Sequence, residues 1–191
     1  MSYPPGATPL DSDEAAGLIP TSISTQSELN AFELANIADA ERWALKRKRQ
    51  DCLTEVFIRD LHRRMLNQVW RWAGTYRTSD KNIGVNWTQI PERILGLCGD
   101  GLYWIEHRTF AWDELGARFH HRLVAIHPFP NGNGRHARLM ADVLLHAHGE
   151  EVFSWGYQTL VDPMETRKRY LAALRAADDR NYGPLIKFVR S

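Results

Sequence analysis

From Thr25 onward, apolar residues recur every three or four positions with polar residues between them, and this period predicts helices along most of the 191-residue chain. Thr25-Gln26-Ser27-Glu28 has the form of a capping box, and Leu29, Phe32, Ile37 and Trp43 continue the period to the basic run Lys46 to Arg49. Positive charge there offsets a helix macrodipole, so the run reads as a solvated helix end. A second helix is predicted over 54–70, with Val56, Phe57, Leu61, Met65 and Val69 on its inner face. The next stretch, WRWAGTYRTSDKNIGVNWTQIP, is β-branched and aromatic and is broken by Ser79-Asp80 and Gly84, which predicts a short hairpin or flap. Residues 92–108 return to the helical period through Ile94, Leu97, Cys98, Leu102 and Ile105. Gly96, Gly99 and Gly101 each cost such a helix about 0.5–1 kcal/mol relative to alanine.

Residues 113–126 form a clearer amphipathic helix, with Leu115, Phe119, Leu123 and Ile126 inward and Pro128 ending it. Another helix runs from 134 to 148 and is closed by Gly149. After an extended VFSW, Asp162-Pro163 opens a helix carrying Tyr170, Leu171 and Leu174, and GPLIKFV forms a last short one. The predicted fold class is all-α: a helical bundle with one small β-hairpin flap. Residues 1–24, rich in Pro, Gly, Ser and Thr, read as an arm ahead of a single domain over 25–191.

Composition narrows this picture. With 43% apolar and 25% charged residues and a net charge of +1, the chain is an ordinary globular protein, and neither nucleic acid nor an anionic membrane is expected as a partner. No apolar run approaches bilayer length. The first twenty residues lack a signal-peptide pattern, so Cys52 and Cys98 are expected as reduced thiols and the location as cytoplasmic. No glycine is followed by lysine, which excludes a Walker-type phosphate loop, and there is no HExxH or His-Asp pair. Most of the histidines at 120, 121, 127, 136, 146 and 148 are expected to pack or to make single hydrogen bonds, not to hold a metal.

The densest chemistry lies in HPFPNGNGRHAR, residues 127–138. A helix that begins near Gly134 leaves its first amides without acceptors and carries partial positive charge there. Glycines around Asn133 allow backbone conformations that expose amides and admit a bulky anion. Arg135 and Arg138, three residues apart, add two planar cations on neighbouring positions. Together these make a polyphosphate site. At the loop's other end stands His127, whose imidazole is suited to accept a proton from an incoming hydroxyl. Phe129, between them, is expected in the core. An ordinary solvated turn is the competing reading of the loop taken alone.

This stretch resembles the Fic motif, HPFxxGNGRxxR. WRWAGTYRT resembles the segment leading into that family's target-docking flap, and RYLAALRAADDRNYGPLIKFV resembles its C-terminal helices. From about Thr25 to Val189 the chain is similar to Fic proteins, most of all the mobile mystery protein B subgroup. The resemblance implies a Fic-type protein adenylyltransferase that moves AMP from ATP, with Mg²⁺, onto a Ser, Thr or Tyr hydroxyl of a target protein. His127 would be the general base and Phe129 the loop's anchor. Gly132, Asn133 and Gly134 would form the anion-binding turn, and Arg135 and Arg138 would hold the β- and γ-phosphates. The flap, Thr78, Lys81, Asn82, Ile83, Gly84 and Val85, would align the target by strand addition.

Three positions qualify that resemblance. Asn131 stands where the family carries an acidic metal ligand; an amide oxygen coordinates Mg²⁺ without supplying charge, so weaker metal binding and slower transfer are expected. Gly134 stands where Fic-like kinases carry lysine, which favours nucleotidyl over phosphoryl transfer. The family's inhibitory pattern, [ST]xxxE[GN], has its nearest match at Ser24 to Leu29, which makes Glu28 the candidate inhibitory residue, already occupied by the capping box; Glu33 is a less regular one. A toxin-like member would also have an antitoxin-like inhibitory partner. Alternatives stay open: a Fic-fold transferase using another nucleotide or moving phosphate, or a degenerate nucleotide-binding regulatory module.

Overall fold

Thr25 caps a helix as its neighbours predict. Its hydroxyl accepts from the Glu28 amide at 3.2 Å, and the Glu28 carboxylate accepts from the Thr25 amide at 2.9 Å. The structure, a computed structural model, describes residues 11–157 and 162–191; the first ten residues of the expected arm lie outside the described residues. In chain order the helices are α1 (Ser12–Ala15), α2 (Gln26–Leu45), α3 (Glu55–Leu66), α4 (Ile90–Glu106), α5 (Trp112–Ile126), α6 (Asn133–His148), α7 (Pro163–Asp178) and α8 (Gly183–Val189). The fold is all-α.

Helix α6 organises the rest because it is apolar on two sides. Met140, Val143 and Leu144 meet Phe57, Ile58 and Leu61 of α3, Ile94 and Leu97 of α4 and Phe119 and Leu123 of α5 in the larger core. Ala141 and Leu145 join Phe153, Trp155, Tyr170 of α7 and Leu185 and Phe188 of α8 in a second. Flanked by two apolar cores, α6 is packed along its length, and its N-terminus at Asn133 falls inside the 127–138 stretch.

Several expectations are corrected. The hairpin does not form: among the described residues there is no strand, only an isolated antiparallel bridge between Leu18 and Trp70. The buried stripe of α2 is Leu29, Glu33, Asn36, Ala40 and Ala44, while Phe32 is 48% exposed. Two polar side chains occupy inner positions because they have partners there. Asn36 donates to the Arg64 carbonyl at 2.8 Å and accepts from the Gln68 amide at 3.0 Å. Helix α3 ends at Leu66 and leaves Val56 exposed, and Leu102 of α4 also faces outward. Of the three glycines in α4, only Gly101 has a packing reason: a Cβ there would stand 3.2 Å from Leu53, whereas Gly96 and Gly99 face open space.

The described part of the arm lies against the body. Ile19 donates its amide to the Val69 carbonyl at 2.8 Å, and the Trp72 indole donates to the Glu14 carbonyl at 2.9 Å. Lys81, almost wholly buried, is clamped by Asp11 and Glu14 at 2.7 Å each.

Candidate active site

Helix α5 stops at Ile126 because His127 takes a left-handed conformation, φ 54° and ψ 59°, with its amide still bonded to the Leu123 carbonyl at 3.2 Å. A non-glycine residue rarely adopts that conformation, and histidine is among the more tolerant types. The kink folds the imidazole inward, where the residue is 6% exposed. Burial first, then the positive charge of Arg77, lowers its pKa to about 4, against the opposing effect of a hydrogen bond to the Val124 backbone. At pH 7 the ring is therefore neutral and able to accept a proton.

The loop beyond it is closed from within. Asn133 accepts from the Phe129 amide at 2.9 Å and donates to the Phe129 carbonyl at 2.8 Å, so its side chain staples the turn and leaves the anion to backbone groups. Phe129 is fully buried, stacked on His62 at 3.7 Å and edge-on to His136 at 5.1 Å. Gly132 takes φ 77° at the N-cap of α6, where a Cβ would come within 2.8 Å of Leu66. No side chain caps α6, so its first-turn amides are open, and a Cβ on Gly134 would meet nothing within 4 Å. The turn thus has open donors with free space above them.

The two arginines differ. Arg135 donates to the buried carboxylate of Glu33 at 2.6 Å, and the other oxygen of that carboxylate accepts from the Trp70 indole at 2.7 Å. Arg138 lies over the Tyr170 ring at 4.4 Å, with no carboxylate in ion-pair reach among the described residues. Glu28 does not make the arginine contact asked of an inhibitory residue; its carboxylate accepts from Ser24 and Thr25 at the start of α2. It is Glu33, the less regular candidate, that reaches the motif, and it takes the first arginine.

Sequence reasoning missed two residues that hold this loop. His62 accepts from the Gly74 amide at Nδ1, at 2.9 Å, so Nε2 carries the proton and donates to the Asn131 carbonyl at 3.0 Å. Arg77, buried to 2% exposure, donates through Nε to the His127 carbonyl at 2.7 Å. Arg77 lies within the WRWAGTYRT segment that carries part of the Fic resemblance, but neither residue's contacts to the 127–138 stretch, 50 and 69 residues along the chain, have a sequence signal. Of the flap residues, Thr78, Asn82, Ile83 and Gly84 are exposed and Val85 is partly covered, while the Lys81 side chain is taken up by Asp11 and Glu14.

No group of three or more His, Cys, Asp or Glu is placed to hold an ion among the described residues. The Asn131 side-chain oxygen accepts from the neighbouring Gly132 amide. His120 faces the Tyr170 hydroxyl at 2.9 Å, His121 the Asp178 carboxylate at 2.8 Å, and His136 the Ile58 carbonyl at 2.9 Å.

A left-handed histidine, a glycine at the N-cap of α6 and two arginines in the first turns of that helix thus lie together inside a helical bundle. Residues 52–145 belong to the Fic/DOC family. The chain is 33% identical over 136 residues to a protein adenylyltransferase fic-1 of Caenorhabditis briggsae, covering 69% of this chain and 25% of that protein. It is 31% identical over 150 residues to the protein adenylyltransferase fic-1 of Caenorhabditis elegans, covering 76% and 28%. The chain therefore spans about a quarter of the length of these curated relatives. A solved C. elegans Fic-1 fragment superposes with TM-score 0.67 at 26% identity, over 92% of this chain and 51% of that one. BepC of Bartonella tribocorum, solved with bound AMPPNP, shares the fold at TM-score 0.72 and 16% identity, over 94% and 97%.

Proposed function

We propose that this chain is a protein adenylyltransferase that moves AMP from ATP onto a hydroxyl side chain of a target protein. The observation that carries this reading is a neutral, buried imidazole at one end of the short loop 127–132, with a helix N-terminus that no side chain caps at the other. The triphosphate would lie over the α6 amides, with Arg138 on its terminal phosphates and Arg135 beside them. A target strand on the exposed flap would present its hydroxyl to His127. The hydroxyl oxygen attacks the α-phosphorus, His127 takes the proton, and the bond to pyrophosphate breaks, leaving AMP esterified to the target. The protein's share of any Mg²⁺ site is the neutral oxygen of Asn131, so the metal would be carried mainly by phosphate oxygens. A cytoplasmic setting suits the reduced, buried thiols of Cys52 and Cys98, and a toxin-like role restrained by a partner remains part of this reading.

Labelled ATP tests it. Incubated with host lysate, ATP labelled at the α-phosphate will mark protein, and ATP labelled only at the γ-phosphate will not. The reverse pattern would mean phosphoryl transfer. A second reading, nucleotide binding without turnover, is favoured by Asn131 in place of a carboxylate. Calorimetric ATP binding with no protein label from either nucleotide would select it.

Glu33 bears on how active the chain is at rest. Its carboxylate occupies the guanidinium of Arg135 that a phosphate would need, and the two acceptors compete for the same donors. Glu33→Gln removes the competing charge yet keeps an oxygen for the Trp70 indole. It is expected to raise transfer by about tenfold, equivalent to about 1.4 kcal/mol, with little change in melting temperature. A fall in rate would show that Glu33 holds Arg135 in its working position instead of withholding it.

A further inference from the structure

The segment expected as a hairpin has no ladder, yet it is tied to three consecutive carbonyls of the catalytic turn. The Val85 amide donates to the Ile126 carbonyl at 3.3 Å, Arg77 Nε to the His127 carbonyl at 2.7 Å, and the Arg77 amide to the Pro128 carbonyl at 3.0 Å. The same guanidinium donates to the Ser79 carbonyl at 2.7 Å and to the Val85 carbonyl, so it bridges both legs of the flap. Its side chain is wholly buried, with the exposed Asp80 carboxylate 3.6 Å away. Gly84 completes the joint. Its φ is +106°, and a Cβ there would fall 2.7 Å from the His127 Cβ and 2.8 Å from the Arg77 guanidinium. Flap and base therefore touch across a space that admits no side chain.

We propose that Arg77 is a positioning residue whose guanidinium fixes the register between the target-docking flap and His127, so that a segment aligned on the flap arrives with its hydroxyl at the imidazole. This deepens the adenylyltransferase reading and rests on it. The chemistry calls for arginine. Five donors on a rigid plane satisfy carbonyls in three directions, whereas a lysine ammonium presents its donors from a single point. A buried cation must have such partners, and here they are backbone oxygens of the flap and of the catalytic turn, with the Asp80 carboxylate of the flap as the charged group beside them. None of its hydrogen bonds goes to Gly132, Asn133, Gly134, Arg135 or Arg138, so it governs the target side of the reaction and leaves the nucleotide side alone.

Arg77→Lys and Arg77→Gln test the proposal with three readouts: ATP affinity by calorimetry, label incorporation from α-labelled ATP into lysate protein at rising lysate concentration, and amide hydrogen exchange. ATP affinity is expected to stay within about threefold of the parent chain while incorporation falls about 100-fold, the loss that a misplacement of about 1 Å produces. Lysine, which keeps the charge, should restore little of it. Exchange at the Val85 amide is expected to rise about tenfold or more, with the α6 amides unchanged. Incorporation within threefold of the parent, or unchanged exchange at Val85, would overturn the proposal. If the Arg77 variants lose α6 protection and so fail to fold, Gly84→Ala decides the matter. It keeps Arg77 but wedges a methyl into the joint, and it should spare ATP binding while cutting incorporation; unchanged incorporation in that variant would overturn the proposal. If the parent chain labels nothing, the functional reading fails, and the exchange data still decide whether Arg77 fastens the flap to the base turn.

Discussion

His127→Asn will lower transfer of the α-phosphate label by about 10²–10⁴-fold, the range a positioned general base contributes, or about 3–5 kcal/mol of barrier. Asparagine is the informative replacement. His127 sits at φ 54°, where alanine would add backbone strain at the end of α5, and asparagine tolerates that region. Its amide has no comparable basicity, so the variant loses the proton acceptor while keeping the turn that Arg77 and Val85 grip. ATP binding should survive, because the open amides and Arg138 lie at the far end of the loop. A variant that binds ATP as before and transfers nothing assigns the base to the imidazole; one that transfers at the parent rate removes His127 from the chemistry. With a pKa near 4, only about one ring in a thousand is protonated at pH 7, so the base is ready in essentially every molecule. The drawback is a weaker pull on the proton than an unperturbed histidine would give.

The competition around Arg135 gives that readiness a second side. On the proposed adenylyltransferase reading, the neutral His127 is ready as base while Glu33 holds Arg135, one of the two arginines offered for the phosphates, so at rest the nucleotide grip is incomplete. A nucleotide would have to displace a carboxylate that also holds the Trp70 indole, and a charge-assisted pair with a buried acceptor is not displaced without cost.

What could be seen in the sequence was the chemistry that is local. His127, the glycines at 132 and 134 and the cations at 135 and 138 lie within a dozen residues, and a loop between two helices brings them together whatever the rest of the fold does, although the stapling of that loop by the Asn133 side chain was not legible. Periodicity also located every long helix to within a few residues. It failed where polar side chains are buried. Glu33 and Asn36 lie on the inner stripe of α2, and a rule that sends polar residues outward put Phe32 there instead. Their partners, Arg135 and the end of α3, are 102 and 28 residues away, so nothing nearby announces them. The hairpin failed for a related reason. Its β-branched and aromatic residues do suit a ladder, but the carbonyls of Ser79 and Val85 are taken by a guanidinium instead of a facing strand.

Acidification should unfold this protein well before the usual acid range. His62, His120, His127 and His136 are all buried, and burial is the leading cause that pulls each below the ordinary value of 6.5: His120 and His136 to about 3, His127 to about 4, and His62 well below, helped by the charge of His136. A histidine whose folded pKa is depressed favours the folded state fully above its unfolded value and loses that contribution as pH falls toward its folded value. Asp142 works against them. Burial raises its carboxyl to about 7 against hydrogen bonds from Trp155 and Phe153, so between about 4 and 7 the folded state holds a proton the unfolded chain has released. Four groups against one leave a net uptake of about three protons on unfolding near pH 5, which weakens the fold by about 4 kcal/mol per pH unit. Against a typical stability of about 5–15 kcal/mol, a fall from pH 7 to about 5 removes much or all of it. Denaturant titrations followed by circular dichroism at steps between pH 7.5 and 5 will measure that slope. A stability flat to within about 1 kcal/mol over this range would mean that the buried histidines take up protons without opening the core. Transfer per folded molecule should stay nearly level over the same interval, since the base at His127 titrates lower still. The acid limb of activity will then follow the melting of α3, α5 and α6 around those rings, and not the protonation of the catalytic imidazole.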